Sequence, residues 1–243
     1  MSSVLIIGAS SDMAKAVARK YAAEGYDLLL AGRNLDELGL FATDIRIRYS
    51  VDVKSLSFDV LDFESHKKFY EGLESKPEGV VVAVGYLGDQ ALSQKAFSEA
   101  QLIINTNYTG IVSILNIVAD DFETREHGFV IGISSVAGDR GRKSNYQYGS
   151  AKAALTAYLS GLRNRLYASK VHVLTVKPGF VNTQMTQDMD LPAKLTLEPE
   201  SVAEDIYKAQ QKQRDILYTK WIWRWIMKVI VLIPELVFKR LSL

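Results

Sequence analysis

The chain has 243 residues, a length that suits one α/β domain with a sizeable core. Its 29 Lys and Arg residues nearly balance 28 Asp and Glu residues, so the charge does not indicate a nucleic-acid-binding protein. The sequence contains no cysteine, which excludes disulfides, thiolate catalysis and cysteine-ligated metals. An apolar strand pattern begins within the first few residues, so we expect no signal peptide and a cytoplasmic protein.

Strand-like and helix-like segments alternate along the chain, which predicts a parallel sheet with helices on both faces. We expect a single α/β domain over residues 1–216, with a doubly wound, seven-stranded sheet, followed by a helical tail over residues 217–243. The predicted strands are 3–7, 26–31, 53–59, 79–84, 127–134, 171–177 and 214–218. The predicted helices are 12–24, 34–48, 62–72, 93–124, 144–167 and 198–211.

The first connection is a turn of small residues, Gly8-Ala9-Ser10-Ser11, between a buried strand and a helix. Free backbone N–H groups and the dipole at such a helix N-terminus bind phosphate, which predicts a dinucleotide site. The alternative is an ordinary strand-to-helix turn, since such turns favour Gly and Ser. Asp12 follows the turn; because a carboxylate facing a phosphate is costly, we expect it to turn away and cap the helix.

The end of the second strand is expected to select the cofactor. Dinucleotide folds that prefer NAD usually place an acidic residue there to bind the ribose 2′-OH. Here Gly32 occupies that place and Arg33 follows it. A guanidinium suits a 2′-phosphate, so NADP(H) is favoured; a solvated Arg33 with NAD(H) as the cofactor is the alternative.

The stretch from residue 134 to residue 152 carries the catalytic pattern. Tyr148 lies four residues before Lys152, and Ser135 lies thirteen residues before Tyr148. On a helix, residues four apart share a face, so the Lys152 ammonium is expected to lower the pKa of the Tyr148 phenol. Tyr148 would then act as a general acid/base. By its spacing alone, a Tyr-x-x-x-Lys pair is usually part of an ordinary helix.

Together these segments resemble the short-chain dehydrogenase/reductase family over residues 3 to about 210. The resemblance implies a Rossmann-type fold and hydride transfer between a nicotinamide and a carbonyl or carbinol carbon. It implies that Tyr148 exchanges the proton, Ser135 hydrogen-bonds the substrate oxygen and Lys152 contacts the nicotinamide ribose. Asn107, favoured over Asn105, would support a proton relay through water.

The chain departs from the family pattern in two places. In the glycine-rich turn, Asp12 and Ala14 replace two glycines, and after the fourth strand only Gly85 is kept of the family's Asn-Asn-Ala-Gly. Asp59 resembles the acid that contacts adenine, or it is a strand-end turn residue. The resemblance implies that the cofactor is bound by Gly8, Ser10, Ser11, Asp12, Met13, Arg33, Asp59, Val60, Gly85, Tyr148, Lys152, Pro178, Gly179, Val181 and Thr183.

Histidine is not expected to take part in the chemistry. His66, His127 and His172 are scattered along the sequence, and each is interpreted as a surface or satisfied edge residue. We therefore expect no metal site.

The tail is strongly amphipathic, and all three Trp residues of the chain lie within five positions of it. Its charged residues recur at near-helical spacing, namely Lys220, Arg224, Lys228, Glu235 and Lys239. The longest uncharged run is far shorter than the roughly 20 residues of a spanning helix, so the pattern predicts a helix lying in a membrane interface. Pro234 should divide it into two short helices. The alternative is packing on the domain or in a dimer interface.

A membrane-associated reductase would encounter lipid-like or lipid-linked carbonyl substrates. Residues 138–152 more weakly resemble the decaprenylphosphoryl-ribose 2-keto-reductases, which implies a keto sugar on a polyprenyl phosphate, with Arg140, Arg142 and Lys143 near the phosphate. The alternative is that these three residues lie in a solvated loop. The apolar residues within residues 184–197 fit either a substrate lid or ordinary helix packing. Steroid, fatty-acyl and other hydrophobic carbonyl compounds are alternative substrates.

The expected partners are a small or lipid-linked substrate and further copies of the chain, as a homodimer or homotetramer through helices 93–124 and 144–167. We expect no nucleic acid and, through the tail, peripheral contact with the inner face of the membrane. Two rival interpretations share the fold: a non-catalytic dinucleotide-binding regulator and a membrane scaffold.

Overall fold

The computed structural model describes residues 2–241, and the last two residues of the predicted tail lie outside that range. A seven-stranded parallel sheet has the order β3-β2-β1-β4-β5-β6-β9, which confirms the predicted doubly wound fold. Its strands are β1 (Ser3–Ile7), β2 (Asp27–Gly32), β3 (Val53–Ser57), β4 (Gly79–Val82), β5 (Phe129–Ile133), β6 (His172–Lys177) and β9 (Ile216–Tyr218). A second, small sheet pairs β7 (Phe180–Val181) with β8 (Thr196–Leu197).

Ten helices connect the strands or follow them within residues 2–241. They are α1 (Asp12–Ala23), α2 (Leu35–Tyr49), α3 (Ser65–Glu71), α4 (Gln90–Ser93), α5 (Phe97–Ile104), α6 (Gly110–Arg125), α7 (Tyr146–Leu166), α8 (Pro199–Gln211), α9 (Ile222–Leu232) and α10 (Glu235–Phe238). A π-helical turn, Asn105–Thr109, joins α5 to α6, and single 3-10 turns occur at Val136–Gly138 and Gln184–Thr186.

Both faces of the sheet are buried, because the apolar runs of the parallel strands supply side chains to two cores. Along β1, Val4 and Ile6 pack with α1, α2 and α8 on one face. Leu5 and Ile7 pack with α3, α6 and α7 on the other. This alternation is the period of a strand, and it explains why continuous apolar runs predicted the sheet. The strand order reverses between β1 and β4, which opens a crevice at their carboxyl ends.

The structure differs from the predicted elements where segments are short or irregular. The predicted helix over residues 93–124 begins at residue 97 and contains the π-helical turn, which the apolar periodicity does not reveal. The two-residue strands β7 and β8 were not predicted, because so short a strand has no period. As predicted, Pro234 divides the tail into two short helices.

One helical stretch in the described part of the chain, Phe97–Arg125, is long and apolar enough to cross a membrane by length and composition. Half of its most apolar window is buried within the protein. Ile114 and Phe122 are among its side chains that form the core against the sheet. A core helix of an α/β domain has the same composition, and these contacts account for the stretch.

Candidate active site

A cleft at the carboxyl ends of the strands contains two adjoining cavities, each of about 550 Å³. Predicted cofactor residues line the first: Gly8, Ser10, Ser11, Arg33, Asp59, Val60 and Gly85. The predicted cofactor residues that line the second cavity are Ser11, Asp12, Met13, Gly85, Tyr148, Lys152 and Thr183. Ser11 and Gly85 belong to both cavities, so one elongated ligand could occupy the two.

The turn after β1 presents a helix N-terminus to this cleft. Gly8 has a φ of +82°, and a Cβ there would lie 3.0 Å from the backbone nitrogen of Val84, so the turn requires glycine. Ser11 caps α1, because its hydroxyl accepts a hydrogen bond from the Ala14 N–H at 3.3 Å. The geometry is suited to a phosphate.

Asp12 does not cap the helix, so that prediction is wrong. Its carboxylate instead accepts a hydrogen bond of 2.7 Å from the backbone N–H of Gln184. Ser11 has an extended backbone and already occupies the N-cap position, which makes Asp12 the first helical residue. Asp12 therefore turns away, as expected, but it ties α1 to the beginning of the loop that follows β7.

Arg33 and Asp59 line the same cavity. Arg33 is exposed and makes no hydrogen bond or ion pair with another residue in the described part of the chain. Asp59 accepts a hydrogen bond from the Leu61 N–H at 3.0 Å, which is the turn geometry that the sequence left as an alternative. The cavity therefore contains a free guanidinium where a 2′-phosphate was expected.

Ser135, Tyr148 and Lys152 come together at the end of β5 and the start of α7. The Ser135 side chain interacts with the Tyr148 phenol and lowers its pKa, while the Ser135 hydroxyl accepts a hydrogen bond of 3.1 Å from the Ala137 N–H. Lys152 is buried, and its ammonium donates to the backbone oxygens of Ile133 at 3.0 Å and Val84 at 3.3 Å. Its Nζ lies 5.8 Å from the centre of the Tyr148 ring.

The expected lowering of the Tyr148 pKa by Lys152 is wrong. Burial raises the pKa of Tyr148 to about 12, although the Ser135 hydrogen bond opposes this rise. Burial also lowers the pKa of Lys152 to about 7, so its ammonium is only partly charged at neutral pH and has little influence on the phenol.

Ser134, the neighbouring candidate, has a packing contact instead. Its buried hydroxyl donates to the Lys152 backbone oxygen at 2.9 Å and lies 2.7 Å from the Thr156 hydroxyl. These bonds join β5 to α7. Ser134 lines the second cavity, whereas Ser135 is the serine that affects the pKa of the Tyr148 phenol.

Asn107 lies fully buried in the π-helical turn. Its amide nitrogen donates to the backbone oxygens of Tyr86 at 2.6 Å and Ile103 at 2.8 Å, and its oxygen accepts from the Tyr86 N–H at 3.2 Å. Asn107 thus fixes the loop after β4 whose Val84 oxygen binds Lys152. A signal for the importance of Tyr86 was absent from the sequence, because an irregular loop has no period.

The Pro-Gly turn after β6 lies behind the cleft. Pro178 accepts a hydrogen bond of 3.0 Å from the Val136 N–H, which joins this turn to the residue after Ser135. Thr183 lines the second cavity, whereas Pro178, Gly179 and Val181 do not. Gly179 instead lies directly against Trp223 of the tail.

Two of the three basic residues predicted near a substrate phosphate bind the tail. The Arg140 guanidinium donates to the backbone oxygens of Ile230 at 2.7 Å and Ile233 at 2.6 Å, at the carboxyl end of α9. Arg142 lies 3.4 Å from the Met227 sulfur. The tail carbonyls attract Arg140 through the helix dipole, so the phosphate interpretation fails for Arg140. Lys143 is exposed.

His66 is buried rather than on the surface or an edge, so its predicted position is wrong. Its ring nitrogens lie 2.9 Å from the Ser113 hydroxyl and 3.0 Å from the Asp59 backbone oxygen. Both nitrogens are therefore satisfied by the protein. Residues 2–241 contain no group of three His, Asp or Glu side chains that could hold a metal ion.

A family model described as short chain dehydrogenase matches residues 2–193. The chain is 36% identical over 241 residues to the uncharacterized oxidoreductase Rv2073c of Mycobacterium tuberculosis, with 98% of this chain and 96% of the relative covered. It is 31% identical over 242 residues to an uncharacterized oxidoreductase of Streptomyces coelicolor, with coverages of 98% and 95%.

Solved structures share the fold. A short-chain dehydrogenase from Sphingobium yanoikuyae in complex with NADPH superposes with a TM-score of 0.84 at 21% identity, covering 97% of both chains. An alcohol dehydrogenase from Thermococcus sibiricus complexed with 5-hydroxy-NADP gives a TM-score of 0.77 at 24% identity, covering 90% of this chain and 96% of that one.

Proposed function

Because this chain belongs to the short-chain dehydrogenase family, we propose that it is an NADP(H)-dependent oxidoreductase that reduces the carbonyl group of a hydrophobic or lipid-linked substrate. The observation that carries the proposal is that Tyr148 and Lys152, with Ser135 beside the phenol, lie at one end of a cleft whose other end contains Arg33. The test is NADPH consumption in the presence of long-chain ketones.

The proposed reaction uses these side chains in defined roles. The turn after β1 and Arg33 would hold NADPH, which would supply the hydride for the carbonyl carbon. Tyr148 donates its phenolic proton to the carbonyl oxygen, which becomes the hydroxyl of the product. Ser135 hydrogen-bonds the same oxygen as negative charge develops on it. Lys152 would contact the cofactor ribose, and Asn107 would support the water path by which Tyr148 regains a proton.

The free Arg33 guanidinium supports NADP(H) over NAD(H). We expect Arg33→Ala to weaken NADPH binding by about tenfold or more, because a charge-assisted bond to a 2′-phosphate is lost. NADH binding should not change, because NADH lacks that phosphate. Fluorescence titration of the bound nicotinamide measures both.

Arg48→Ala is the matched control for this titration. Arg48 lies at the carboxyl end of α2, pairs with Asp44 and does not line the cleft. NADPH affinity should be unchanged in this variant. Equal losses of NADPH and NADH binding in Arg33→Ala would contradict the assignment of the 2′-phosphate.

The second cavity supports a hydrophobic substrate. Its walls near Tyr148 include Val84, Leu87, Ile133 and Met185. Such a lining favours the apolar part of a ketone and a carbonyl directed at Tyr148. A polyprenyl-phosphate-linked keto sugar belongs to this class, and it should be included in an assay beside simpler long-chain ketones.

The outer face of the tail supports binding to an anionic membrane. Trp225, Val229 and Leu232 recur at helical spacing along α9 and are exposed, and Leu236 is exposed on α10. The exposed cations Arg224, Lys228, Lys239 and Arg240 flank this face, whereas Glu235 is paired with Arg140. Apolar side chains beside cations are typical of a helix that lies in the lipid headgroup region.

We expect the protein to sediment with phosphatidylglycerol vesicles and not with phosphatidylcholine vesicles. Leu232→Glu should lower the vesicle affinity by about tenfold, because it removes apolar area and adds a charge that anionic lipid repels. Leu40→Glu, at an exposed leucine of α2, is the control and should bind as wild type does. Vesicle binding that survives Leu232→Glu would contradict this surface.

A further inference from the structure

The inner face of α9 is packed against the catalytic domain. Trp223 is 4% exposed and Met227 is 1% exposed, although their neighbours in the helix are open to solvent. These two side chains form a small core with Val136, which follows Ser135 in the chain. The tail is thus attached beside the loop that carries the catalytic serine.

Trp223 lies on the backbone of the Pro-Gly turn. A Cβ placed on Gly179 would be 2.0 Å from the indole Nε1 of Trp223, so only glycine permits this contact. The next residue, Phe180, meets the indole edge to face, with 5.1 Å between ring centres. The indole therefore supports the turn on the side away from the cleft.

The same indole also binds the far end of the loop between β7 and β8. Its Nε1 donates a hydrogen bond of 3.3 Å to the backbone oxygen of Leu195, and the nearby Lys220 donates to the Lys194 oxygen. β7 and β8 are paired, and the loop that they enclose supplies Gln184 and Met185 to the cleft. One side chain thus contacts both ends of this loop.

Arg140 fixes the other end of the helix. Its guanidinium donates to the backbone oxygens of Ile230, Val231 and Ile233 at the carboxyl end of α9, and it packs on the Phe238 ring at 3.7 Å. A helix held at both ends keeps Trp223 in one place. Both ends of α9 are thus attached to the catalytic domain.

We propose that Trp223 is a positioning residue for the reaction. It supports the Pro-Gly turn and the β7–β8 loop, so that Thr183, which lines the second cavity, is held in place for the nicotinamide half of the cofactor. The proposal rests on the proposed function for the identity of that cofactor. It makes the tail a part of the active site in addition to a surface for membrane.

The affinities for two ligands distinguish a local positioning role of Trp223 from a general role in the stability of the fold. NADPH reaches the whole cleft, whereas 2′,5′-ADP has only the adenosine half and depends on the region of Arg33. We expect Trp223→Ala to weaken NADPH binding by about tenfold, since displaced groups lose their interactions, and to leave 2′,5′-ADP binding within about twofold of wild type. Isothermal titration measures both.

Two variants serve as controls. Trp221→Ala removes an indole that is 72% exposed, two positions away, and should leave both affinities unchanged. Trp223→Phe should restore most of the NADPH affinity, because an aromatic ring still covers Gly179. Unchanged NADPH binding in Trp223→Ala, or equal losses for both ligands, would overturn the proposal. Wild-type protein that binds neither ligand would instead overturn the proposed function.

A double-variant cycle tests the contact even if Trp223→Ala does not fold. Gly179→Ala places a methyl group within the indole, so it should weaken NADPH binding strongly in the wild-type background. In the Trp223→Leu background, Gly179→Ala should cause a several-fold smaller loss of NADPH affinity, because the smaller leucine side chain leaves room for the methyl group. Additive effects of the two changes on NADPH affinity would overturn the proposal.

Discussion

Replacing Tyr148 with Phe is expected to lower kcat for ketone reduction by about a thousandfold. The phenolic hydroxyl is the proton donor, and phenylalanine keeps the ring that lies near Lys152. NADPH affinity should therefore stay close to that of wild type. Steady-state NADPH consumption measures kcat, and fluorescence titration measures the affinity.

The pH dependence of the reaction rate tests whether Tyr148 donates the proton in reduction and accepts it in oxidation. Because burial raises the pKa of Tyr148 to about 12, the phenol is protonated throughout the neutral range and is ready to donate in reduction. Alcohol oxidation needs the phenolate, so its rate should rise about tenfold per pH unit above neutrality until the phenol titrates. An oxidation rate that is flat from pH 8 to 10 would contradict this assignment; the wild-type reduction rate is the internal control.

Replacing Lys152 with Met is expected to stabilise the protein while abolishing its activity. Burial lowers the pKa of Lys152 from 10.5 to about 7, a penalty on the charged form of on the order of 5 kcal/mol. Loss of the hydrogen bonds to Ile133 and Val84 offsets part of the gain. We expect a net gain of about 2 kcal/mol, or a Tm higher by about 5 °C.

The gain should depend on pH in a defined direction. Below pH 7 Lys152 is charged in both the folded and the unfolded chain, so the full penalty applies to wild type. Between pH 7 and 10.5 only the unfolded chain binds the proton, so wild-type stability rises and the advantage of Lys152→Met shrinks. Lys67→Met, at an exposed lysine of α3, should show neither effect. A less stable Lys152→Met at pH 6 would contradict the account.

The sequence predicted most of the sheet and the catalytic group because both depend on short-range patterns. The apolar runs of β1, β4 and β5 are buried on both faces, so their composition alone marks them. The four-residue spacing of Tyr148 and Lys152 places both side chains on one face of α7, whatever surrounds them.

Tertiary contacts decided what the sequence could not predict. The roles of Asp12 and Arg140 depend on partners 172 and about 90 positions away, in the loop after β7 and in the tail. No periodic pattern encodes the contact of Trp223 with Gly179. The Tyr148 pKa was predicted in the wrong direction, because burial is a property of the folded protein and the spacing of the two residues revealed only the nearby charge.

The most direct test of the central claim compares NADPH consumption by wild type and by Tyr148→Phe, with the same long-chain ketone in mixed micelles. NADPH saturation of both proteins is established first by fluorescence titration. The account predicts steady turnover by wild type and about a thousandfold less by the variant. Equal turnover by the two proteins would contradict Tyr148 as the proton donor. Tight NADPH binding without turnover of any ketone would instead favour a dinucleotide-binding regulator.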